Sequence, residues 1–580
     1  MIKSTHSKLR IEKREVDSKF DNLGDGLPEF LRGIFLGRGI SRKKELDRSL
    51  ARLPLLDGFK GLGESVRLLE EALNNQENIL IVGDYDADGA TSTALAMLSL
   101  GAMGFKHVGF IVPDRFKYGY GLTPKIVELA KLRKPDLIVT VDNGISSIDG
   151  VMAAKNAGIK VLITDHHLPG LELPSADAIL NPNQYGCSFP CKNLAGVGVV
   201  FYLLSALRAR LRDTGWFSTN DIDIPNMADW LDLVALGTVA DVVPLDHTNR
   251  ILVHQGLLRI RAGKLRPGLK ALLDLADKDL KKIVASDLGF SAGPRLNAAG
   301  RMDDMSIGIA CLIENESGAA REYALQLDQL NCQRRAVETD MQKEGLVILS
   351  RLQMDQKSLP WGLCLFDKDW HLGVVGLLAS RIKDRIHRPV IVFADTGDEY
   401  KGSARSIPGL HIRDALEAIA TANPKLISKF GGHAMAAGLS IKANDYVAFS
   451  IAFDEEVKRQ LTPFDLENKV LIDGELTSEE LSLKNGLLLR DSGPWGQQFS
   501  EPLFKGNFFL ISQHIIGKNH LKLKLSVDEK QDNPLDAIAF NVDLNVWPDY
   551  KKKQVEVVYK LNINSWQGRE SLQLMIENFV

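Results

Sequence analysis

The stretch that decides the fold is "NILIVGDYDADGATSTA", which runs from Asn78 to Ala94. Its apolar first part predicts a buried strand, and the small residues that end it predict the start of a helix. Between the two, Asp84, Asp86 and Asp88 occupy every second position. Carboxylates this close repel each other, and burying them is costly unless a cation compensates. A divalent metal would compensate; a plain surface turn, where Asp and Gly are common, is the alternative.

Composition limits what the rest of the chain can be. A chain of 580 residues is too long for one core, so we expect about three or four domains. A formal net charge of −3 excludes a protein that is basic throughout, so any nucleic-acid site must be a local basic patch. Because the sequence contains no long apolar run, we expect neither a membrane span nor a signal peptide. Five cysteines, an odd number, predict a reducing cytoplasm. Cys187 and Cys191 form a CxxxC pattern without a second Cys/His pair nearby, so we interpret them as ordinary thiols, with zinc as the alternative.

Apolar segments alternate with helix-length segments from about residue 55 to residue 200. The predicted strands are "ENILIVGDYD", "HVGFIVPD", "PDLIVTVDNG" and "KVLITDHH". Apolar strands separated by helices indicate a parallel sheet covered on both faces. In such sheets the active crevice lies outside the carboxyl ends of the strands.

The rest of the chain predicts further units, so the fold class is multidomain α/β. A proline-free stretch that begins at Glu316 predicts a connector helix of ~30 residues, ~45 Å long. Beyond it we expect a second α/β unit and then short strands that form a small barrel of OB type. We divide the chain into an N-terminal lead-in that packs on a neighbour (1–50), a parallel-sheet unit (51–310), the connector helix (311–355), the second α/β unit (356–462) and the barrel (463–580).

More carboxylates and two histidines follow other apolar runs. Asp142 ends "VTVD", Asp165, His166 and His167 end "LITDHH", and Asp241 ends "VALGTVAD". An oxygen-rich ligand set with one or two imidazoles and no thiolate favours Mn²⁺ or Mg²⁺ over structural zinc. About six ligands predict two ions ~3.5–4 Å apart, the arrangement that stabilises both oxygens of a phosphoryl displacement. Loop turns with satisfied core histidines are the alternative.

These motifs resemble a known family. "DYDADG", "DNG" and "DHH" resemble the DHH phosphoesterase superfamily, and "KFGGHAMAAGLSI" resembles its DHH-associated domain. "GPRLNAAGRM", "HLGVVGLLASRI" and "GSARSIPGLHI" are similar to the single-strand DNA exonucleases of that superfamily. The resemblance covers the chain from about residue 50. One departure is "PWGQQFSEPLF", where related chains show a Gly-Asn-Pro-Glu-Pro pattern, and it concerns the packing of the barrel.

The resemblance implies roles for individual residues. The metal ligands would be Asp86, Asp88, Asp142, His166 and Asp241, with Asp84 as a further ligand or an outer group. His167 would be a ligand or contact the scissile phosphate. The predicted catalytic set is His167, Asp165, Arg295, Asn297 and Arg301, in which the arginines would grip phosphate.

Other residues would hold the substrate. Arg115 and Tyr118 in "PDRFKYGYGL" follow a predicted strand, although a surface loop is the alternative. The remaining residues of the predicted wall are His371, Ser403, Arg405, Gly431, Gly432 and His433. We expect Arg405 in a Gly/Ser loop and the Gly-Gly-His turn at the start of a helix, where free N–H groups bind an anion. His371 belongs to this wall or caps a helix.

The barrel has a signal of its own in "HLKLKLS". With a period of two, the leucines point one way and Lys522 and Lys524 point the other, with Lys518 close by. A basic strand face suits a groove that follows single-stranded phosphates, and a solvated face is the alternative.

Taken with the resemblance, these features predict a cytoplasmic, two-metal exonuclease. It would degrade single-stranded DNA from the 5′ end to 5′-mononucleotides, in DNA repair and recombination. The resemblance implies two Mn²⁺ or Mg²⁺ ions and, as partners, single-stranded DNA, a single-strand-binding protein and a RecQ-type helicase. We expect a monomer without membrane contact. The alternatives are a phosphodiesterase for oligonucleotides or cyclic dinucleotides and a non-catalytic scaffold that binds single strands.

Overall fold

The computed structural model describes residues 9–16, 19, 21–113, 118, 120–351, 359–397, 399–530 and 532–580. The chain begins with strand β1 (Leu9–Lys13) and helix α1 (Glu29–Leu36). β1 pairs in parallel with a strand more than 450 residues away, β12 (Asn468–Ile472). The N-terminal lead-in therefore packs on the barrel end of the chain.

The first α/β unit contains a five-stranded sheet in the order β3-β2-β4-β5-β6, with every pair parallel. Its strands are β2 (Ile79–Gly83), β3 (Val108–Ile111), β4 (Leu137–Val141), β5 (Lys160–Thr164) and β6 (Ala178–Leu180). Along β2, Ile79 and Ile81 enter one hydrophobic cluster while Leu80 and Val82 enter another on the opposite face. This two-sided burial is why the strands are continuous apolar runs. The predicted parallel sheet is confirmed.

Helices cover both faces of this sheet. They are α2 (Leu62–Asn74), α3 (Ala87–Ala102), α4 (Pro124–Lys131), α5 (Ile148–Asn156) and α6 (Gly196–Asp213). A helical region follows, with α7 (Trp216–Thr219), α8 (Leu231–Ala240), α9 (His247–Arg261), α10 (Pro267–Asp274), α11 (Ala285–Asp287), α12 (Gly293–Met302) and α13 (Ser306–Ile313). The apolar run before Asp241 is helix α8, which is buried along most of its length. Asp241 therefore follows a helix, whereas the other acidic groups follow strands.

The connector is one helix, α14 (Ser317–Arg351), of 35 residues. At 1.5 Å per residue it is about 52 Å long, slightly longer than predicted. Near its start Asp328 accepts a 2.8 Å hydrogen bond from Arg295 of α12. Further along, Glu338 accepts one of 2.8 Å from Arg381 of the second unit. The helix thus contacts both α/β units.

The second α/β unit has a five-stranded sheet in the order β10-β11-β9-β8-β7. Its elements are β7 (Leu363–Asp367), α15 (Val375–Ile386), β8 (Val390–Asp395), β9 (Glu399–Arg405), α16 (Ile412–Ala422), β10 (Lys429–Gly432), β11 (Ala436–Lys442) and α17 (Tyr446–Gln460). Two local predictions were wrong. Arg405 ends a strand and does not lie in a loop, and Gly431 and Gly432 belong to the β10–β11 hairpin and open no helix.

After β12 the chain forms helix α18 (Leu483–Ser492) and a closed barrel. The barrel strands are β13 (Phe504–Ile516), β14 (His520–Ser526), β15 (Leu535–Ala539), β16 (Gln554–Trp566) and β17 (Arg569–Phe579). The predicted OB-type barrel is confirmed, although α18 interrupts the stretch that we expected to be all strand. In β14, Lys522 and Lys524 are exposed between buried leucines, as the period of two requires. In the described part of the chain, no helix combines the length and apolar character needed to cross a bilayer.

Candidate metal centre and nucleic-acid cleft

The aspartate turn after β2 is organised by its own backbone. Asp86 caps α3, and its carboxylate accepts hydrogen bonds from the N–H groups of Asp88, at 2.9 Å, and Gly89, at 3.0 Å. Asp88 is buried and accepts from the first two N–H groups of α6, Gly196 at 2.6 Å and Val197 at 3.0 Å. The start of α6 therefore holds Asp88 in place, because helix N-termini attract negative charge.

Asp142 lies at the carboxyl end of β4 and is 2% exposed. Its φ of 62° is unusual for a residue with a side chain. Gly196 backs it so closely that a Cβ there would lie 2.7 Å from the Cβ of Asp142. The Oδ1 atom of Asp142 is 3.1 Å from Nε2 of His166, and that Nε2 is 3.5 Å from Oδ2 of Asp241.

Although they lie this close, the three buried atoms form no hydrogen bond with each other or with any other described residue. They belong to overlapping groups of possible ligand atoms that lie within 4.8 Å of one another. The groups are Asp84 with Asp86 and Asp142, Asp88 with His166 and Asp241, and Asp142 with His166 and His167. Unpartnered buried polar atoms are costly. A cation at this position would satisfy them.

Burial makes this cluster electrostatically unfavourable without a cation. Burial, followed by the charges of Asp241 and Asp86, raises the pKa of Asp88 well above its usual range. Burial, followed by the charges of Asp88 and Asp86, does the same to the pKa of Asp142. Burial also raises the pKa of Asp241. The fold thus brings together carboxyl groups that do not readily ionise at the same time. This is the property expected of a site for divalent metal.

Asp165 has a different role from the other carboxylates. Its Oδ1 accepts from the N–H groups of His166, at 2.7 Å, and His167, at 3.0 Å, and from Nδ1 of His167 at 2.7 Å, while its Oδ2 accepts from Ile145 N–H at 2.9 Å. Burial opposes ionisation, but the His167 hydrogen bond, the charges of His167 and His166 and the Ile145 hydrogen bond together outweigh it and lower the pKa of Asp165 to about 2. In turn, burial lowers the pKa of His167, but the hydrogen bond and charge of Asp165 and the charges of Asp241 and Asp84 outweigh it and raise that pKa to about 9. Asp165 therefore braces the Asp-His-His turn.

Tyr120 is a site residue that sequence reasoning missed. Its hydroxyl lies 3.4 Å from the ring nitrogens of His167 and donates to the carbonyl oxygen of Asp142 at 3.3 Å. The predicted tyrosine, Tyr118, instead packs against the hydrophobic cluster on one face of the first sheet. The two differ only by position in "KYGYGL", so the choice between them needed the tertiary structure. Arg115 lies outside the described residues.

Helix α12 braces the aspartate turn from the other side. Oδ1 of Asn297 accepts from the N–H of Ala87 at 2.8 Å, and a Cβ on Gly300 would lie 1.8 Å from the carbonyl oxygen of Tyr85. Arg301 donates to the carbonyl oxygen of Gly373 at 3.4 Å, which joins α12 to the second unit. Asn297 thus holds the backbone of the aspartate turn, and Arg301 holds the backbone of the second α/β unit.

Arg295, which we predicted to bind phosphate, forms hydrogen bonds within the protein. It is 8% exposed, and its guanidinium donates to Asp328 and, at 2.8 Å, to the carbonyl oxygen of Ser291. The interaction partner is therefore the connector helix. These bonds use two of the five N–H donors of the guanidinium, so phosphate binding by Arg295 stays a prediction.

The second unit reaches the metal centre through the turn of the β10–β11 hairpin. The ring centroids of His433 and His167 are 5.7 Å apart. On β9, Arg405 donates to Oγ of Ser403 at 3.0 Å and to the carbonyl oxygen of Ala404 at 2.8 Å. His371 accepts from the N–H of Gly373 at 3.1 Å, so it caps the turn before α15. Lys518, Lys522 and Lys524 lie exposed on the barrel.

Three family models match successive parts of the chain: the N-terminal domain of the DHH family at residues 78–238, the DHHA1 domain at 359–459 and the RecJ OB domain at 472–578. The fold and the acidic centre thus define a DHH-family protein with an appended OB barrel. The single-stranded-DNA-specific exonuclease RecJ of Salmonella typhimurium strain LT2 is 52% identical over 571 residues, 98% of each chain. This chain belongs to the RecJ family.

Solved structures agree with this assignment. RecJ of Thermus thermophilus in complex with Mn²⁺ matches with a TM-score of 0.79 and 28% identity, covering 99% of this chain and 79% of that one. The same protein in complex with Mg²⁺ matches with a TM-score of 0.74 and 27% identity, covering 98% of this chain and 78% of that one.

Proposed function

We propose that this chain is a hydrolase that degrades single-stranded DNA in the 5′-to-3′ direction and releases 5′-mononucleotides. The single observation that carries the proposal is the convergence of Asp142 Oδ1, His166 Nε2 and Asp241 Oδ2, buried and without hydrogen-bond partners among the described residues. Substrate class rests on the relatives, which are single-stranded-DNA-specific exonucleases. The 5′-to-3′ direction rests on the resemblance of the motifs.

The residues present fit Mn²⁺ or Mg²⁺, because the set combines carboxylate oxygens with imidazole and contains no thiolate. The proposed ligands of two ions are Asp84, Asp86, Asp88, Asp142, His166 and Asp241. When bound, such ions supply Lewis acidity and activate water for attack on phosphorus. Support also comes from the RecJ structures solved with Mn²⁺ and with Mg²⁺.

The chain's own residues would orient the substrate. Since Nδ1 of His167 is committed to Asp165, its Nε2 is the atom that would approach a phosphate oxygen. His433 would close the cleft from the second unit, opposite His167. Arg405 and Ser403, two residues apart on β9, would bind the 5′ phosphate, because a guanidinium beside a hydroxyl suits a doubly charged group.

Partners and location are part of the same proposal. We expect a cytoplasmic monomer that acts in repair and recombination, on strands opened by a RecQ-type helicase and covered by a single-strand-binding protein. A cleft that His433 and His167 narrow from both sides would admit one strand and exclude a duplex. The oligonucleotide phosphodiesterase alternative is not favoured, because a small substrate needs neither the connector helix nor the OB barrel. The scaffold alternative is not favoured because every proposed ligand is present in the described acidic groups.

The test uses single strands labelled at the 5′ or the 3′ end, incubated with Mn²⁺ or Mg²⁺ and sized over time. A 5′-labelled strand should release labelled mononucleotide at once, while a 3′-labelled strand should shorten stepwise. A matched duplex and a reaction with chelator are the controls. Release of label first from the 3′ end, or internal cuts, would contradict the proposal.

A further inference from the structure

Phe290 is an exposed aromatic side chain on a turn that packs against the end of α8, the helix before Asp241. It lies in a π-helical turn, Leu288–Ala292, immediately before α12, and is 79% exposed. Single exposed apolar residues are common and need no explanation. π-Helical turns, however, occur frequently at functional sites. A second feature next to this turn makes Phe290 more than a surface residue.

That feature is Val242, the residue after Asp241. Its φ is 62° and it is 61% exposed. A β-branched residue in the left-handed region is a genuine outlier, and such strain persists where the surrounding structure imposes it, often at functional sites. Asp142, across the same centre, has the same φ of 62°. One proposed ligand, Asp142, and the residue that follows another, Val242, therefore share this unusual backbone angle.

Val242 and the turn that carries Phe290 both lie against the same residue, Val239. The N–H of Val242 donates to the carbonyl oxygen of Val239 at 3.3 Å. From the other side, a Cβ on Gly289 would lie 3.2 Å from Cγ1 of the same Val239. The π-helical turn thus packs on the last turn of α8, the helix that ends just before Asp241.

The segment that carries Val242 also leads toward the barrel. Three residues after Val242, the N–H of Leu245 donates to the carbonyl oxygen of Gln497 at 2.8 Å. Gly496 lies against the same leucine, since a Cβ there would be 2.7 Å from Cδ1 of Leu245. Residues 496 and 497 belong to the segment that enters the barrel. The chain from Asp241 to Leu245 therefore runs from the metal centre to the barrel side.

We propose that Phe290 and Val242 form a stacking platform for the bases of a single strand that extends from the metal centre toward the barrel. The inference deepens the proposed function and rests on it. An aromatic ring stacks on any base, so the contact tolerates every sequence. Bases of a duplex are already stacked on each other, so this platform would favour the binding of single strands. Val242, exposed directly after Asp241, would support the sugar or base next to the one on Phe290.

The test is an abasic scan. Single strands with a 5′ phosphate carry one abasic site, moved one nucleotide at a time from the 5′ end, and KM and kcat are measured for the first cleavage. The parent should show raised KM at one or two adjacent positions. Phe290→Ala should raise KM on intact strands about 10- to 100-fold with little change in kcat, and should abolish the position dependence. Phe290→Trp should restore both.

Phe464→Ala is the matched control, because Phe464 is 71% exposed on the segment that follows α17, outside the elements that form the metal centre. Its KM and its abasic profile should equal the parent's. Val242→Gly removes the side chain while suiting the backbone angle, so it should raise KM without lowering thermal stability. An abasic profile in Phe290→Ala identical to the parent's would overturn the inference. A parent that cleaves no single strands would overturn the proposed function itself.

Discussion

Asp142 shows at the scale of one residue how the chain prepares for a cation. It is held against Gly196 with a strained backbone, and its Oδ1 faces His166 without a hydrogen bond from the described residues. Burial and the neighbouring carboxylates both disfavour its charged form. Without metal, the folded protein is therefore destabilised at this position, and a divalent ion would remove that destabilisation.

Replacement of Asp142 by asparagine should remove both that destabilisation and the nuclease activity. Cleavage should fall by more than about 100-fold, because ligand geometry controls metal affinity, while binding of single strands should persist. The measurement is turnover over a Mn²⁺ titration, with binding followed separately in chelator. Asp340→Asn, an exposed change on α14, is the control. Turnover close to that of the parent would contradict the two-metal proposal.

The same variant has an expected effect on stability and its dependence on pH. Since the pKa of Asp142 is raised in the folded state, its contribution to stability is fully present below the unfolded pKa of about 3.9 and is lost as pH rises. An asparagine side chain does not ionise. In chelator, Asp142→Asn should therefore become increasingly more stable than the parent from about pH 4 upward. The measurement is urea unfolding at several pH values, and saturating Mn²⁺ should reverse the order, because only the parent keeps the full site.

Arg405 offers a second residue-scale prediction. Arg405→Ala should slow cleavage of 5′-phosphorylated strands about 10- to 100-fold more than cleavage of 5′-hydroxyl strands, because one charge-assisted contact is worth roughly 1.5–3 kcal/mol. The ratio of the two rates is the measurement, since a folding defect would lower both. Arg385→Ala, exposed on α15 of the same unit, is the control. An unchanged ratio would show that Arg405 does not bind the terminal phosphate.

At the scale of elements, α14 and α12 are joined by a pair that local sequence does not reveal. Asp328 of α14 binds Arg295 of α12, and α12 in turn holds Ala87 through Asn297. The connector helix is thus linked through two hydrogen bonds to the aspartate turn. Displacement of the connector helix would therefore move the aspartate turn and the proposed ligands on it.

Asp328→Ala should therefore affect stability and chemistry together. Leaving Arg295 largely buried without its carboxylate should lower the free energy of unfolding by roughly 1–3 kcal/mol, less than a fully buried pair because Asp328 is partly exposed. The Mn²⁺ concentration for half-maximal activity should rise. Asp340→Ala breaks the exposed pair with Lys343 on the same helix and should change stability by under about 0.5 kcal/mol. Equal effects of the two variants would contradict the link.

Strand β14 carries the second element-scale prediction. Lys522→Gln with Lys524→Gln should lower the slope of log affinity against log salt by about 1–1.5, because each phosphate contact to a single strand contributes about 0.7. The measurement is binding of single strands in chelator over a range of salt. Lys131→Gln with Lys134→Gln, exposed at the end of α4 and just beyond it, is the control. An equal slope in both double variants would mean that β14 presents only a solvated face.

At the scale of the whole molecule, the two ends of the chain are built into one frame. A single hydrophobic cluster includes Leu31 of α1, Leu233 of α8 and Phe504 of β13. Arg38 forms a two-pronged, buried hydrogen bond with Asp473, at 2.6 and 3.0 Å. The barrel is therefore anchored to the first unit through the N-terminal lead-in.

Arg38→Met should accordingly destabilise the barrel and the first unit together, by about 3–5 kcal/mol, because it leaves Asp473 buried without its main partner. Hydrogen exchange of barrel peptides and of first-unit peptides at increasing urea is the measurement, and both should open at one lower midpoint. Arg10→Met, which breaks an exposed pair with Glu12 on the same lead-in, should leave that midpoint in place. Two separate midpoints would contradict a shared frame.

Sequence alone determined the parallel sheet, the connector helix, the closed barrel and the identity of the acidic cluster. It did so because continuous apolar runs, helical spacing and polar residues at strand ends are local signals. Asp84, Asp86, Asp88, Asp142 and His166 each stand next to such a signal. The carboxyl ends of parallel strands meet at one edge, so their convergence followed.

Tertiary structure alone decided which residues meet across long distances. Gly431 and Gly432 form a strand because they pair with Gly438 and Ala437, and β11 pairs in turn with β9. Arg295 binds Asp328 because that carboxylate lies within reach on another helix. Local propensities act over a few residues, whereas these contacts depend on neighbours that only the folded chain brings together.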